Sequence, residues 1–374
     1  MTRTSVLSAL LLATLSTACV KKWDNGPTTT TAAAKKLDVT GAGAALERVT
    51  AEPVDEYSPS ASPDGNTVLF EVETHAADDE EGVTPTKAVI IGVNPSTRAQ
   101  RTIYTTEQSL AHDPVWMPDG SSVVFASTST GRQSLVRTLT AAPNAAVSIV
   151  IAGEIAANPH TPTVSPDGKR VAFATFTKAG GFKIATVGVD GSRLTMLGDG
   201  RHPSWSPDGK RLAFVRQVGA FSHIFLLDPE TGSDLVQLTS GDYNHDSPTW
   251  SPDAQYLAFT TDRTQASRAA KGRWVAAIVK RDGTELTQLT TGEGGVFATS
   301  WSRDNWIYFS SPAEGNHDIW RVRPGGKYAT LKPAEVAKPA DPAPAPPVKG
   351  GCTKDTDCKG DRVCEAGACV SPKK

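Results

Sequence analysis

Four histidines stand in matching surroundings along the chain. His112, His160, His202 and His245 each lie one to three residues ahead of a proline, at Pro114, Pro162, Pro203 and Pro248. Recurrent imidazoles could ligate a metal, shuttle protons, or simply hydrogen-bond in exposed loops. Carboxylates accompany two of them, as Asp113 and Asp246, and Arg201 precedes a third. Glu56 and Tyr57 occupy the corresponding stretch of an earlier segment. If the fold brings these segments to one rim, Glu56, Tyr57, His112, Asp113, His160, Arg201, His202, His245 and Asp246 form one mixed surface of acids, bases and an aromatic. Such a surface suits a polar partner better than an apolar cofactor, so these nine are assigned as partner-binding residues, with no cofactor and no metal. Catalysis would need acids and histidines within hydrogen-bond reach of one substrate. No catalytic residue is assigned.

Aspartates recur as well. Ser-Pro-Asp-Gly or a close variant occupies Ser62–Gly65, Met117–Gly120, Ser165–Gly168, Ser206–Gly209, Ser251–Ala254 and Ser302–Asn305. A ring of Asp64, Asp119, Asp167, Asp208, Asp253 and Asp304 could suggest calcium, but each has a local task. Proline presets φ, aspartate accepts backbone N–H groups and glycine supplies the positive φ that closes a tight hairpin. The six are read as structural turn residues.

The elements that must position these groups follow from the same repeat. The aspartates recur at intervals of 41 to 55 residues, room for four short strands per period. Phe70, Phe125, Phe173, Phe214 and Phe259 come six residues after the aspartate, and Phe309 five after. Trp116, Trp205, Trp250 and Trp301 precede the turns, with Ala61 and Val164 in the other two copies. Matched aromatics predict packing between neighbouring blades of a closed radial array. The sixth period lacks a fourth strand, and Leu46–Thr50 resembles the Leu-Thr endings of the other periods. It is expected to complete that sheet and remove two open edges.

The stretches His202-Pro-Ser-Trp-Ser-Pro-Asp-Gly-Lys-Arg-Leu-Ala-Phe214 and Ser247-Pro-Thr-Trp-Ser-Pro-Asp-Ala254 resemble the TolB-type, WD-like propeller repeat. The resemblance covers about residues 45–330 and implies an all-β, six-bladed β-propeller closed by an N-terminal strand. It departs from TolB itself, since residues 20–44 are too few for the α/β domain that precedes that propeller. Prolyl oligopeptidase-like peptidases carry similar repeats beside an α/β-hydrolase domain, but no G-x-S-x-G elbow occurs here. Related propellers also resemble oligogalacturonate lyases, which hold a metal with histidines around the channel.

The ends carry a separate message. Arg3, the apolar stretch Val6–Leu15 and the small residues before Cys19 read as a secretory signal over 1–18. Leu15-Ser-Thr-Ala-Cys19 resembles a bacterial lipobox, which implies acylation of Cys19 and membrane attachment through the lipid. Residues 19–44 read as a flexible tether, 45–331 as the propeller, 332–350 as a stiff Pro/Ala-rich linker and 351–374 as a four-cysteine module. An exported chain meets an oxidising compartment, so Cys352, Cys358, Cys364 and Cys369 are expected in two disulfides of open connectivity. The module resembles the four-cysteine tails of myxobacterial secreted proteins. With 38 basic and 40 acidic residues, no field favours nucleic acid. The expected protein is a non-catalytic cell-envelope lipoprotein, most simply on the outer membrane, that binds an envelope protein or cell-wall component. The alternative is a metal-dependent, lyase-like carbohydrate-active enzyme.

Overall fold

The computed structural model describes residues 37–335, apart from 76–84, 106–109, 130, 143, 145–147, 152–155, 178–179, 264–273 and 292–293, together with 363–365 and 368–370. Within the described chain the repeated turn folds as its chemistry predicts. Ser165, Ser206 and Ser251 each donate Oγ to the aspartate two residues on, at 2.6 Å. The same carboxylates accept a following backbone N–H, such as Lys169 N at 3.1 Å. Gly65, Gly120, Gly168 and Gly209 take φ of 70–75°, the left-handed region that glycine enters without a Cβ clash.

Each turn joins the first two strands of a four-stranded antiparallel sheet. After β1 (Gly43–Arg48), blade one holds β2 (Asp55–Ala61), β3 (Val68–His75), β4 (Pro85–Val93) and β5 (Gln100–Tyr104). Blade two holds β6 (Ala111–Trp116), β7 (Ser122–Ser127), β8 (Ser134–Leu139) and β9 (Ser148–Ile151). Blade three holds β10 (Pro159–Val164), β11 (Arg170–Phe176), β12 (Phe182–Gly188) and β13 (Thr195–Asp199). Blade four holds β14 (Arg201–Trp205), β15 (Leu212–Val218), β16 (Phe221–Leu227) and β17 (Val236–Gln237). Blade five holds β18 (His245–Trp250), β19 (Tyr256–Thr261), β20 (Val275–Lys280) and β21 (Thr287–Gln288). The sixth takes β22 (Phe297–Trp301), β23 (Ile307–Ser311) and β24 (Asp318–Pro324), and β1 supplies its outer strand. Leu46 lies opposite Val322 in that pairing. The innermost strands β2, β6, β10, β14, β18 and β22 touch in sequence, and β22 meets β2, so they close a ring.

Aromatic anchors hold blade to blade. The six repeat phenylalanines are all at most 2% exposed, each contributing about 2–3 kcal/mol by burial. Leu69 and Ile90 of blade one share a core with Trp116 and Phe125 of blade two. Trp116 and Trp250 donate their indole N–H to Ser60 and Ser204 carbonyls of the preceding blade, both at 3.1 Å. An aromatic column placed by the repeat thus fixes the spacing of blades as well as their interior.

Two expected boundaries move. Among the described residues, packing is already present at Leu37, ahead of residue 45, where it is buried among Leu289, Val296 and Trp320. Val39 bridges Thr290, and Thr40 N donates to Leu289 O at 2.8 Å. The apolar pair Leu37 and Val39 finds a seat there, which a tether reading based on composition does not anticipate. At the other end, the start of the expected spacer also lies on the propeller. Asn305 Nδ2 donates to Leu331 O at 3.0 Å, and Ala334 N to Pro252 O at 2.7 Å.

A second compact unit spans Ala337–Lys374. Its described part is the antiparallel pair β25 (Val363–Glu365) and β26 (Ala368–Val370), in which Cys364 is opposite Cys369. The expected signal segment, Cys19, Cys352 and Cys358 lie outside the described residues.

Candidate functional site

Every inner strand is interrupted in the same place. The ladder slips between Tyr57 and Ser60, His112 and Val115, His160 and Thr163, Arg201 and Ser204, and Asp246 and Thr249. Proline lies inside each of these gaps, as Pro59, Pro114, Pro162, Pro203 and Pro248, and cannot donate to a ladder. In blade six Thr299 replaces it, and the slip narrows to the single step between Phe297 and Thr299. The bulge forces Ser58, Asp113, Thr161, His202, Ser247 and Ala298 to φ of 45–53°. Six non-glycine residues therefore hold a costly conformation at one level of the ring.

The bulges bring polar groups of different blades together. Asp113 N donates to Glu71 Oε2 at 2.8 Å, and Thr161 N to Asp113 Oδ2 at 3.0 Å. Ser58 Oγ reaches Glu71 Oε1 at 3.1 Å and Asp113 Oδ1 at 3.2 Å. Three blades are tied through two carboxylates. His112 Nδ1 lies 3.5 Å from Glu71 and 3.7 Å from Glu73. Burial alone would lower its imidazole, but Glu71, Asp113 and Glu73 outweigh that and push it up to about 9. Burial, with Glu71 beside it, raises Glu73 to about 7. Among the described residues Glu71, Glu73 and His112 offer three ligand atoms within 4.8 Å of one another.

A second knot joins blades four and five. Asp246 accepts from Arg201 at 2.6 Å, from Ser247 N at 2.7 Å and from His202 Nδ1. Burial works to raise this carboxyl, but His202 and Arg201 hold it well below the usual carboxylate range. Between the knots, Gln133 Nε2 donates to His160 Nδ1 at 2.9 Å. Burial lowers His160 and keeps the ring neutral, as an acceptor must be. Tyr57 and Phe297 flank His317 with ring centroids at 4.7 and 5.4 Å, so an aromatic patch joins blades six and one.

Seven of the nine expected residues thus lie on this level: Tyr57, His112, Asp113, His160, Arg201, His202 and Asp246. Glu56 and His245 do not. Glu56 is wholly buried and accepts from Thr50 Oγ1, and burial raises it to about 7. His245 is 1% exposed, with its Nδ1 3.3 Å from that of His223 and its ring against Phe259. Burial, then His223, lowers it to about 4. The correction has one cause. Both residues stand one place before the level of Tyr57 and Asp246, and in a strand successive side chains take opposite sides.

Sequence reasoning missed Ser58, Thr161, Ser247 and Phe297, which counting back from each proline or turn aspartate would have found. It also missed Glu71. The residue after each repeat phenylalanine is Ala126, Ala174, Val215, Thr260 or Ser310 in the other blades, all buried. A lone carboxylate in that column was the available signal.

Comparison with known proteins agrees with the architecture. Residues 161–269 match the family described as TolB beta propeller domain. No curated protein matches the chain. Among solved structures, a protein described as TolB from Agrobacterium tumefaciens is 23% identical, with a TM-score of 0.52, over 61% of this chain and 79% of that one. A gluconolactonase from Xanthomonas campestris is 13% identical, with a TM-score of 0.55, over 77% and 94% of the two chains. An oligogalacturonate lyase in complex with manganese is 13% identical, with a TM-score of 0.50, over 79% and 99%. At these identities the likeness is one of fold. The family match over residues 161–269 and the six closed blades together make the chain a six-bladed β-propeller that is TolB-like.

Proposed function

We propose that the propeller is a non-catalytic binding scaffold of the bacterial cell envelope, held to a membrane through acylated Cys19, which presents its bulge level to an envelope protein or cell-wall component. The observation that supports this most is the employment of the histidines. His202 is bound to Asp246, His160 to Gln133 and His112 to an acidic pair, while His245 is interior. They do not converge on one reacting atom. Their ties cross between blades and preorganise a rim of alternating charge and aromatic rings, which suits recognition without reorganisation. No helix among the described residues is long and apolar enough to cross a membrane.

A photo-crosslinking residue at Tyr57 or Ser247, compared with one at exposed Met196 on an outer strand, tests the reading in intact envelopes. Capture of one partner from the first two sites and not from Met196 is expected. Capture from Met196 alone would move the binding face to the blade edges.

A second reading rests on Glu71, Glu73 and His112. Two carboxylates and an imidazole suit a divalent ion, and a lyase of like fold is known with manganese. Manganese-dependent cleavage of oligogalacturonate, lost in Glu71→Gln, would establish it in place of the scaffold.

A further inference from the structure

At the turn end of the inner strands the ring has a different chemistry. A cavity of about 240 Å³ is lined by residues from all six blades. Its wall holds the indoles of Trp116, Trp250 and Trp301 and the turn prolines Pro63, Pro118, Pro166, Pro207 and Pro252, with Arg303 in the sixth place. Trp-x-Pro in three of the six repeats, with proline alone after Ala61 and Val164 and tryptophan alone before Arg303, thus yields a seat of indoles and pyrrolidine rings around one axis. Such surfaces accept extended proline-containing chains, whose polyproline conformation is preformed and costs little entropy to dock.

The cavity is lined also by Pro333 and Ala334 of the same chain. This segment makes a backbone hydrogen bond from Ala334 N to Pro252 O at 2.7 Å, and Ala334 packs on the core of Trp250, Leu257 and Phe259. Asn305 Nδ2 anchors Leu331 O just upstream. A second, independent feature lies at the seat: Trp301 is 8% exposed, and its Nε1–H is buried without an acceptor.

We infer that the turn end of the channel is a binding site for an extended proline-containing peptide, and that the chain partly covers it in cis with Pro333 and Ala334. The site lies away from the bulge level and does not depend on the function assigned to that level. A trans peptide of the same chemistry competes with the resident segment. The local concentration of a covalently attached segment is on the order of millimolar, so the intact protein resists free peptide at micromolar concentration.

The test uses the full-length chain and a fluorescent peptide with the sequence of residues 331–336, Leu-Lys-Pro-Ala-Glu-Val. Its control carries glycine in place of proline and alanine. Ala334→Pro removes the N–H that reaches Pro252, and Ala334→Asp puts a charge in an apolar seat; neither touches the blades' own pairing. Fluorescence anisotropy should show at least tenfold tighter binding of the peptide to both variants than to the unaltered protein, with the control peptide bound by none. Far-ultraviolet circular dichroism verifies that the variants keep the propeller. Folded variants that bind neither peptide, or bind both equally, overturn the inference, as does equal binding by the unaltered chain.

Discussion

Glu56 shows how much one buried group can set. Its carboxyl is enclosed between Thr50 and Ile319, and burial raises it to about 7 from an ordinary 4.5. The folded state therefore binds the proton more tightly than the unfolded state, and stability falls as pH rises between 4.5 and 7. Glu56→Gln removes that dependence. Its stability relative to the parent should grow across this window and level off above pH 7, reaching about 2–3 kcal/mol, measured by denaturant unfolding at pH 5, 6, 7 and 8. His245 acts in the opposite sense. Its pKa is depressed to about 4, so its contribution is present above 6.5 and is lost as pH falls toward 4. His245→Ala should cost about 2–3 kcal/mol at pH 7, because an interior ring leaves a cavity beside Phe259. A loss below 0.5 kcal/mol would place His245 back at the rim.

At the scale of elements, closure rests on the segment that precedes blade one. β1 pairs with β24, Val49 N donates to Ile319 O at 2.7 Å, and Thr50 Oγ1 donates to Glu56. Leu37 and Thr40 extend the attachment to blade five. Deleting residues 37–50 should therefore abolish a cooperative thermal transition or lower its midpoint by more than 10 °C, the order expected when several kcal/mol are removed. Deleting 337–374, a separate compact unit, should leave the midpoint within a few degrees. Similar losses from both deletions would refute closure by β1. The bulges belong to this scale too: a proline without an N–H stands at the break of five inner strands, the sixth breaks at Thr299, and the break decides which side chains meet.

For the whole molecule, the proposed anchor is expected to be separable from the propeller. With acylation proposed at Cys19, eighteen positions ahead of the packed residue Leu37, Cys19→Ser should shift the protein from membrane to soluble fractions on sedimentation without changing its melting temperature. Retention on membranes would refute the lipid anchor. The two ends of the channel differ in chemistry: a polar, cross-tied level where the inner strands start, and a lining of tryptophan and proline where they turn.

The sequence by itself determined the six-fold count, the hairpin turns, the aromatic column and the closing strand, because each depends on residues within one repeat or on matched positions across repeats. Seven of the nine residues expected at the rim lie on its level for the same reason, being close to a proline that marks the bulge. What only the tertiary structure decided was facing and pairing. A one-residue difference along a strand sends His245 inward and Asp246 to the rim. Glu71 reaches Asp113 of the next blade through a contact 42 residues apart in sequence, and Pro333 and Ala334 line a cavity built by all six blades. Such contacts depend on the curvature that closes the ring, which no local pattern encodes.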